Sequence, residues 1–357
     1  MRGIQSASSS SSCGPTFLLS PSRAKRPSAK SSGVPVSAEP ASGRSTGAWP
    51  ALAWLVGLLP WHALGWIGTL FGWVAGSVLR IRRQHVESAM LAAGIAAPAR
   101  NARAMYRSLG ISAGEFLWLA SRGAEALAHV QIDPGSRVAW IGALSRGRGV
   151  VLAASHTGNW DLGACAVAQE IHLLVITKHL TARSLDAFWQ STRASHGVSL
   201  APASGAVGRA REVLRAGGAV AMMMDQVPGS KDHALCGTFL GASAWLARGP
   251  AVVAARNAAP LVVTACRRDE RGAHRLHVLA VLEPPFKATR AWVDDATRAA
   301  SRALDEFVRA HPDQWLWLHR RWKEPEASRV DPAVHDATLE RPCKTRSSSQ
   351  VDPFTTA

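Results

Sequence analysis

Acidic residues are scarce in this 357-residue chain, where 25 Asp and Glu face 41 Lys and Arg, for a formal net charge of +16 and a sequence pI near 11.0. Such a balance excludes a cationic partner and directs the chain toward an anion, either nucleic acid or an acidic lipid surface. Tyrosine is nearly missing, with one residue beside 14 Trp. Single-strand RNA platforms draw on Phe and Tyr, whereas Trp settles at membrane interfaces, so the imbalance favours lipid. The cations are spread over an N-terminal tail, a turn near residue 80 and a C-terminal cluster rather than gathered in a stripe, and no nucleic-acid partner is expected. The five cysteines (Cys13, Cys165, Cys236, Cys266, Cys343) form no C-x-x-C pair and no even set, which argues against a disulfide framework and for free thiols in a reducing compartment. His156, Asp161, His172 and His179 lack a third partner at zinc-ligand spacing, so no metal is expected. A G-x-S-x-G elbow is also missing, which removes the usual strand-to-helix serine nucleophile.

What is present divides the chain into four stretches. Residues 1–47 are Ser-, Pro-, Arg- and Lys-rich without a hydrophobic period, as expected of a disordered basic tail; residues 327–357 return to a similar polar composition. An Arg- and Ser-rich start also fits an organelle transit peptide, but no continuous apolar region follows that would make a secretory signal. Residues 48–79 carry no charge and hold Trp49, Trp54, Trp61, Trp66 and Trp73. Roughly 20 apolar residues span a bilayer, so this stretch is expected to be a membrane anchor. Pro60 divides it into either one kinked span, mainly 61–79, or an interfacial hairpin; a buried soluble helix is the third reading. Arg80, Arg82 and Arg83 follow directly, and by the positive-inside rule they hold that end in the cytoplasm.

Residues 80–326 form the expected main domain. Met105, Leu109, Ser112, Phe116 and Leu119 recur at helical spacing, giving an amphipathic helix. After Gly149, apolar runs at 150–155, 172–177, 219–224, 260–266 and 274–282 alternate with helical patterns starting near 160, 184, 207 and 292. Buried apolar strands alternating with helices predict a mixed, largely parallel α/β sheet flanked by helices, behind the N-terminal anchoring helix.

The most informative segment is VVLAASHTGNWDLGACA, residues 150–166, in which a strand ends at Ser155, a turn carries His156, and Asp161 falls in the first turn of the next helix. Strand ends in α/β sheets are where ligands bind. A turn through Thr157, Gly158 and Asn159 can fold Asp161 back onto the imidazole, fixing its tautomer so that the other ring nitrogen takes a proton from an alcohol. The helix start also offers backbone N–H groups to an oxyanion. By spacing alone, a satisfied histidine near a capping aspartate is as good a reading.

ASHTGNWDLG resembles the His-x4-Asp/Glu block of the bacterial lipid A late acyltransferases, the lauroyl and myristoyl transferases of the wider glycerolipid acyltransferase superfamily. Further blocks follow in that family's order: Lys178 in VITKHL, Arg193 and Gly197 in STRASHGVSLAP, Asp225 and Gln226 in LRAGGAVAMMMDQVPGS, Phe239, Gly241 and Gly249 in GTFLGASAWLARGPAVVAARNAAPLVV, and HPDQWLWLHRRWK near the end. The resemblance implies direct attack of an acceptor hydroxyl on an acyl thioester, with His156 as general base and Asp161 as its orienting partner. It implies no cofactor beyond an acyl-acyl carrier protein or acyl-CoA co-substrate. Asn159, Lys178, Arg193, Asp225, Gln226, Phe239, Gly241 and Arg248 become substrate-binding candidates, Lys178, Arg193 and Arg248 as phosphate grips. Cys165 reads as a small core residue. The expected partners are acyl carrier protein, a membrane lipid acceptor and an anionic membrane surface, at the cytoplasmic side of a bacterial inner membrane. Lipid A is the first-choice acceptor, with an amino-acid lipid, a glycosylated phospholipid or a lysophospholipid as alternatives. A basic membrane scaffold without activity is the reading from another class. Trp315, Trp317 and Trp322, with their neighbouring cations, fit either a headgroup interface or internal packing.

Overall fold

The computed structural model describes residues 47–323, so the tails expected at 1–47 and 327–357 lie outside the described residues, Gly47 apart. The described chain opens with α1 (Ala48–Gly57) and α2 (Trp61–Trp73), broken at Pro60, whose missing N–H and bulky ring stop one helix from running through. A wide turn over Val74–Val78 extends α2, closed by the Leu79 N–H donating to the Val74 carbonyl at 2.8 Å. Then come α3 (Arg83–Ala92), α4 (Pro98–Arg122), α5 (Ala124–Leu127), β1 (Val130–Ile132) and α6 (Arg137–Leu144). The alternating part is β2 (Val150–Ala154), α7 (Trp160–Glu170), β3 (Leu173–Thr177), α8 (Arg183–Ser195), β4 (Val198–Pro202), α9 (Ala206–Arg215) and β5 (Ala219–Met223). A hairpin of β6 (Ala234–Phe239) and β7 (Ala242–Ala247) precedes α10 (Gly249–Asn257), β8 (Leu261–Arg268), β9 (His274–Leu282) and α11 (Arg290–Ala310).

Seven strands form one sheet in the order β1-β9-β8-β2-β5-β3-β4, with every neighbouring pair parallel except β8 and β9. This is the mixed, largely parallel sheet that the apolar runs predict. Its central strands are buried on both faces, and the two-residue period sorts their side chains. Val151 and Ala153 of β2 join a core with α9, α10 and α11, while Val150 and Leu152 face α6 and α7. The chain moves outward from β2 through α7 to β3 and then β4, and returns by α9 on the other face to insert β5 between β2 and β3. Where strand order reverses in this way, the carboxyl ends leave a crevice. The short, half-polar β4 and the β6–β7 hairpin gave too little alternation to be expected.

Helices α1 and α2 pack on α4, and α2 does so through glycine. Gly68, Gly72 and Gly76 share one face, where an added Cβ would collide with Ile111, the Tyr106 backbone or the Tyr106 ring. The opposite face is apolar and open: Trp54, Trp66 and Phe71 are 61%, 81% and 64% exposed. Among the described residues no single helix is long and apolar enough to cross a membrane, and the one pair that passes together, Trp61–Val78 with Arg83–Ala92, is bent by 88°. Of the readings open for 48–79, the described chain has α1 and α2 broken at Pro60 and packed on α4. Among the described residues Cys165 and Cys266 are free and buried, Cys165 as the small core residue expected, while Cys13 and Cys343 lie outside the described residues.

A buried charge network ties the helical and sheet layers together. Glu115 of α4, 2% exposed, accepts from Arg268 (2.7 and 3.0 Å), from His274 (3.0 Å) and from the side chain of Asn159 (2.9 Å). Burial pushes the Glu115 carboxyl up, but His274 and then Arg268 outweigh it and hold it at about 2. Burial pulls His274 down, yet Glu115 and the Cys266 contact bring it to about 9.

The folded pKa of His274 stands above its ordinary 6.5, so its stabilisation is complete below that pH and lost as pH rises through about 9. Glu115, shifted the other way, contributes fully above 4.5 and loses its contribution as pH falls through about 2. Thermal unfolding followed by circular dichroism should show Tm falling on the alkaline side, and Glu115→Gln should flatten that fall. The same substitution should cost about 3–5 kcal/mol, because Arg268 and His274 lose their buried counter-charge.

Candidate active site

Strands β2 and β5 lie side by side with Ala154 opposite Met223, and each is followed two residues later by the side chain that matters, His156 and Asp225. Asp225 accepts from the His156 backbone N–H (2.7 Å) through Oδ2 and pairs with the imidazole Nδ1 (2.9 Å) through Oδ1. The carboxylate, 3% exposed, thus holds both the backbone and the ring of one residue. Between His156 and α7 the chain turns at Gly158, with φ of +54°, where a Cβ would lie 2.6 Å from the Cys266 carbonyl oxygen; both the angle and the space require glycine. Asn159 then caps α7 by accepting from the Leu162 N–H (3.2 Å), while its amide donates to Glu115.

This geometry corrects the expected pairing of His156 with Asp161. Asp161 makes no hydrogen bond to the imidazole; it faces Arg193, whose Nη1 stands 3.7 Å from its Oδ1. One turn into α7, its carboxylate points to α8 instead of back over the strand end. Burial raises the Asp161 pKa against the pull of Arg193. At Asp225 burial also pushes upward, but the His156 charge, the two His156 bonds and the Trp315 N–H hold it at about 2. Burial alone would lower the His156 pKa, but Asp225, with a smaller contribution from Asp161, raises it. With Nδ1–H donating to Asp225, Nε2 is left as the basic nitrogen, and the Gln226 amide lies 3.3 Å from it.

His156, Asp161 and Gln226 line a groove of about 2450 Å³. Leu109, Phe116, Ile176, Phe188 and Met222 give it apolar walls, and Lys178, Arg211, Lys231, Arg256 and Arg290 bring positive charge to its lining. One end reaches Trp49 of α1, which stacks on Phe188. The groove thus runs from the crevice at the strand ends to the helices with the exposed apolar face.

The remaining candidates separate. Lys178 is exposed and lines the groove. Arg193 is buried, stacked 4.4 Å over Trp189 and bonded to Thr177 and Gln190, and Arg248 is held by both oxygens of Asp294 (2.8 and 3.2 Å). Both line the groove, but neither presents an unengaged guanidinium to a phosphate. Phe239 is 1% exposed under Trp315 and Arg321, and Gly241 forms the tight β6–β7 turn with φ of +80°, so both are framework and not groove lining. Trp315 and Trp317 are buried too, which decides for internal packing over a headgroup interface. Sequence reasoning missed Glu115, although the lone acid of an amphipathic helix, at helical spacing from Ser108 and Ser112, was the available signal.

An imidazole with one nitrogen fixed by a buried carboxylate and the other open to a long apolar groove with cations suits proton transfer on a ligand that has an apolar chain and an anionic group. The chain belongs to the bacterial lipid A biosynthesis acyltransferase family, whose profile matches residues 44–324. It is also 29% identical over 189 residues to the phosphatidylinositol mannoside acyltransferases of two Mycobacterium tuberculosis strains, covering 50% of this chain and 56% of each relative. The chain thus spans about half the length of the curated relatives it matches.

Asp225→Asn should lower the His156 pKa and disturb its tautomer, reducing turnover by about 10²- to 10⁴-fold. Nitrogen-15 NMR of the imidazole together with steady-state rates checks both effects.

Proposed function

We propose that this protein transfers a fatty acyl group from a thioester donor to a hydroxyl of an anionic glycolipid at a membrane surface. The observation that carries the reading is the His156 imidazole, fixed at Nδ1 by Asp225 while Nε2 faces the groove. The acceptor O–H gives its proton to Nε2 as its oxygen attacks the thioester carbonyl carbon. The tetrahedral oxyanion collapses, the carbon–sulfur bond breaks, and the departing sulfur takes the proton back from Nε2. To reach Nε2 the hydroxyl displaces the Gln226 amide, which is then free to donate to the oxyanion beside the first turn of α7. Asp161 is not the orienting carboxylate in this scheme; its negative charge supports the imidazolium that forms.

Family membership supports lipid A or a related saccharolipid as acceptor, and the relatives' name supports a glycosylated phospholipid. Both carry sugar hydroxyls beside phosphate, which fits the cations lining the groove. Acyl carrier protein is the first-choice donor because it is strongly acidic, with acyl-CoA as the alternative; no resident cofactor enters the scheme. The exposed apolar face of α1 and α2 supports attachment in the plane of the bilayer, where the groove end at Trp49 meets lipid. We assign it to the cytoplasmic side of a bacterial inner membrane.

His156→Ala should leave the protein folded and abolish transfer, measured with a radiolabelled acyl thioester; near-normal turnover would refute the scheme. Replacing Trp66 and Phe71 together by Asp should cut partitioning to anionic vesicles by at least about tenfold without unfolding, since both side chains are exposed. Flotation with vesicles measures this. Rates with one acyl group on each carrier across a salt series decide the donor: a preference for the carrier protein that weakens with salt is expected.

A further inference from the structure

We infer that Trp315 is a positioning residue for the His156–Asp225 pair, its indole N–H setting how strongly Asp225 draws the proton of His156. The inference rests on the proposed role of His156. Trp315 Nε1 donates to Asp225 Oδ2 at 2.9 Å, the same oxygen that accepts the His156 backbone N–H. The carboxylate thereby receives three donors: two from the residue it orients and one from a distant segment.

That segment is built into the catalytic turn on both sides of Trp315. The Gly158 N–H donates to the Gln314 carbonyl (2.7 Å), the Leu316 N–H donates to the His156 carbonyl (3.0 Å), and Thr157 bridges to Trp315. The indole is 1% exposed, with the Phe239 and Trp317 rings edge-on at 5.4 and 4.8 Å. With its ring locked and its backbone paired to the turn, Trp315 has no room to swing its N–H off the carboxylate. Lipid contact does not explain such a residue, because it has almost no surface to offer.

The titratable groups around the pair are Asp161 on α7, with Arg193 of α8 behind it, and two side chains of the C-terminal segment. Arg321, 1% exposed, interacts with Asp225; His319 faces both members, and burial pulls its pKa down to about 4, so it stays neutral. None of these donates a hydrogen bond to Asp225. Removing the neutral Trp315 donor leaves every formal charge in place and makes Asp225 a stronger partner for the imidazolium. The His156 pKa should then rise, and the acid limb of the pH–rate profile should move with it.

The test uses the full-length protein in detergent with two changes at this position: Trp315→Phe, and replacement of the indole by benzothiophene, which keeps the ring shape and lacks only the N–H. Imidazole titration by nitrogen-15 NMR, read without substrate, should move upward by about half to one pH unit in both. Trp317→Phe, whose indole N–H donates to the Pro312 carbonyl, should titrate like the wild type. If Trp315→Phe does not fold, the benzothiophene protein decides. A His156 titration unchanged in that protein overturns the inference. The proposed function fails separately, on near-normal turnover by His156→Ala.

Discussion

The site depends on one buried carboxylate placed between two parallel strand ends. Without Asp225 the turn after β2 would lose the acceptor for its first N–H, and the imidazole would lose the contact that defines its tautomer. A carboxylate so deeply buried is tolerated only when its charge is met by several donors, and here His156 and Trp315 supply them, with Arg321 close behind. The arrangement is economical in elements: β2, β5 and the segment after α11 each contribute one side chain, and all three converge where the sheet order reverses.

A second buried charge, Glu115, stabilises the same turn from the opposite side. It anchors Asn159, the cap of α7, while neutralising Arg268 and His274 from the antiparallel β8–β9 pair of the sheet. The helix that carries it also receives the glycine face of α2. The apolar N-terminal helices, the charge network and the turn that carries His156 therefore form one continuous packed path. The face of α2 that does not pack on the domain is the one proposed to meet lipid. The groove that holds the imidazole also reaches Trp49 of α1.

Much of this was legible along the chain. Strongly apolar runs set the central strands, because a strand covered on both faces must be apolar at nearly every position. The His-Thr-Gly-Asn-Trp-Asp segment showed its strand, turn and helix start, since a glycine and a capping asparagine are local requirements. The broken N-terminal helix was foreshadowed by Pro60. The pairing of His156 with Asp225 was not legible. His156 and Asp161 are near in sequence, which made them look like partners, yet one turn of α7 carries Asp161 toward Arg193.

Composition, period and local turn chemistry by themselves determined the α/β class, the position of His156 at a strand end and the basic, Trp-rich character that points to lipid. Only the tertiary structure decided which carboxylate pairs with the His156 imidazole, which cations line the groove, and that Trp315 and Trp317 are core. The reason is physical. Helix and turn signals act over a few residues, whereas the order of strands in a sheet follows from burying both of its faces at once. Inserting β5 beside β2 joined residues 69 apart in sequence, an adjacency that no local pattern encodes.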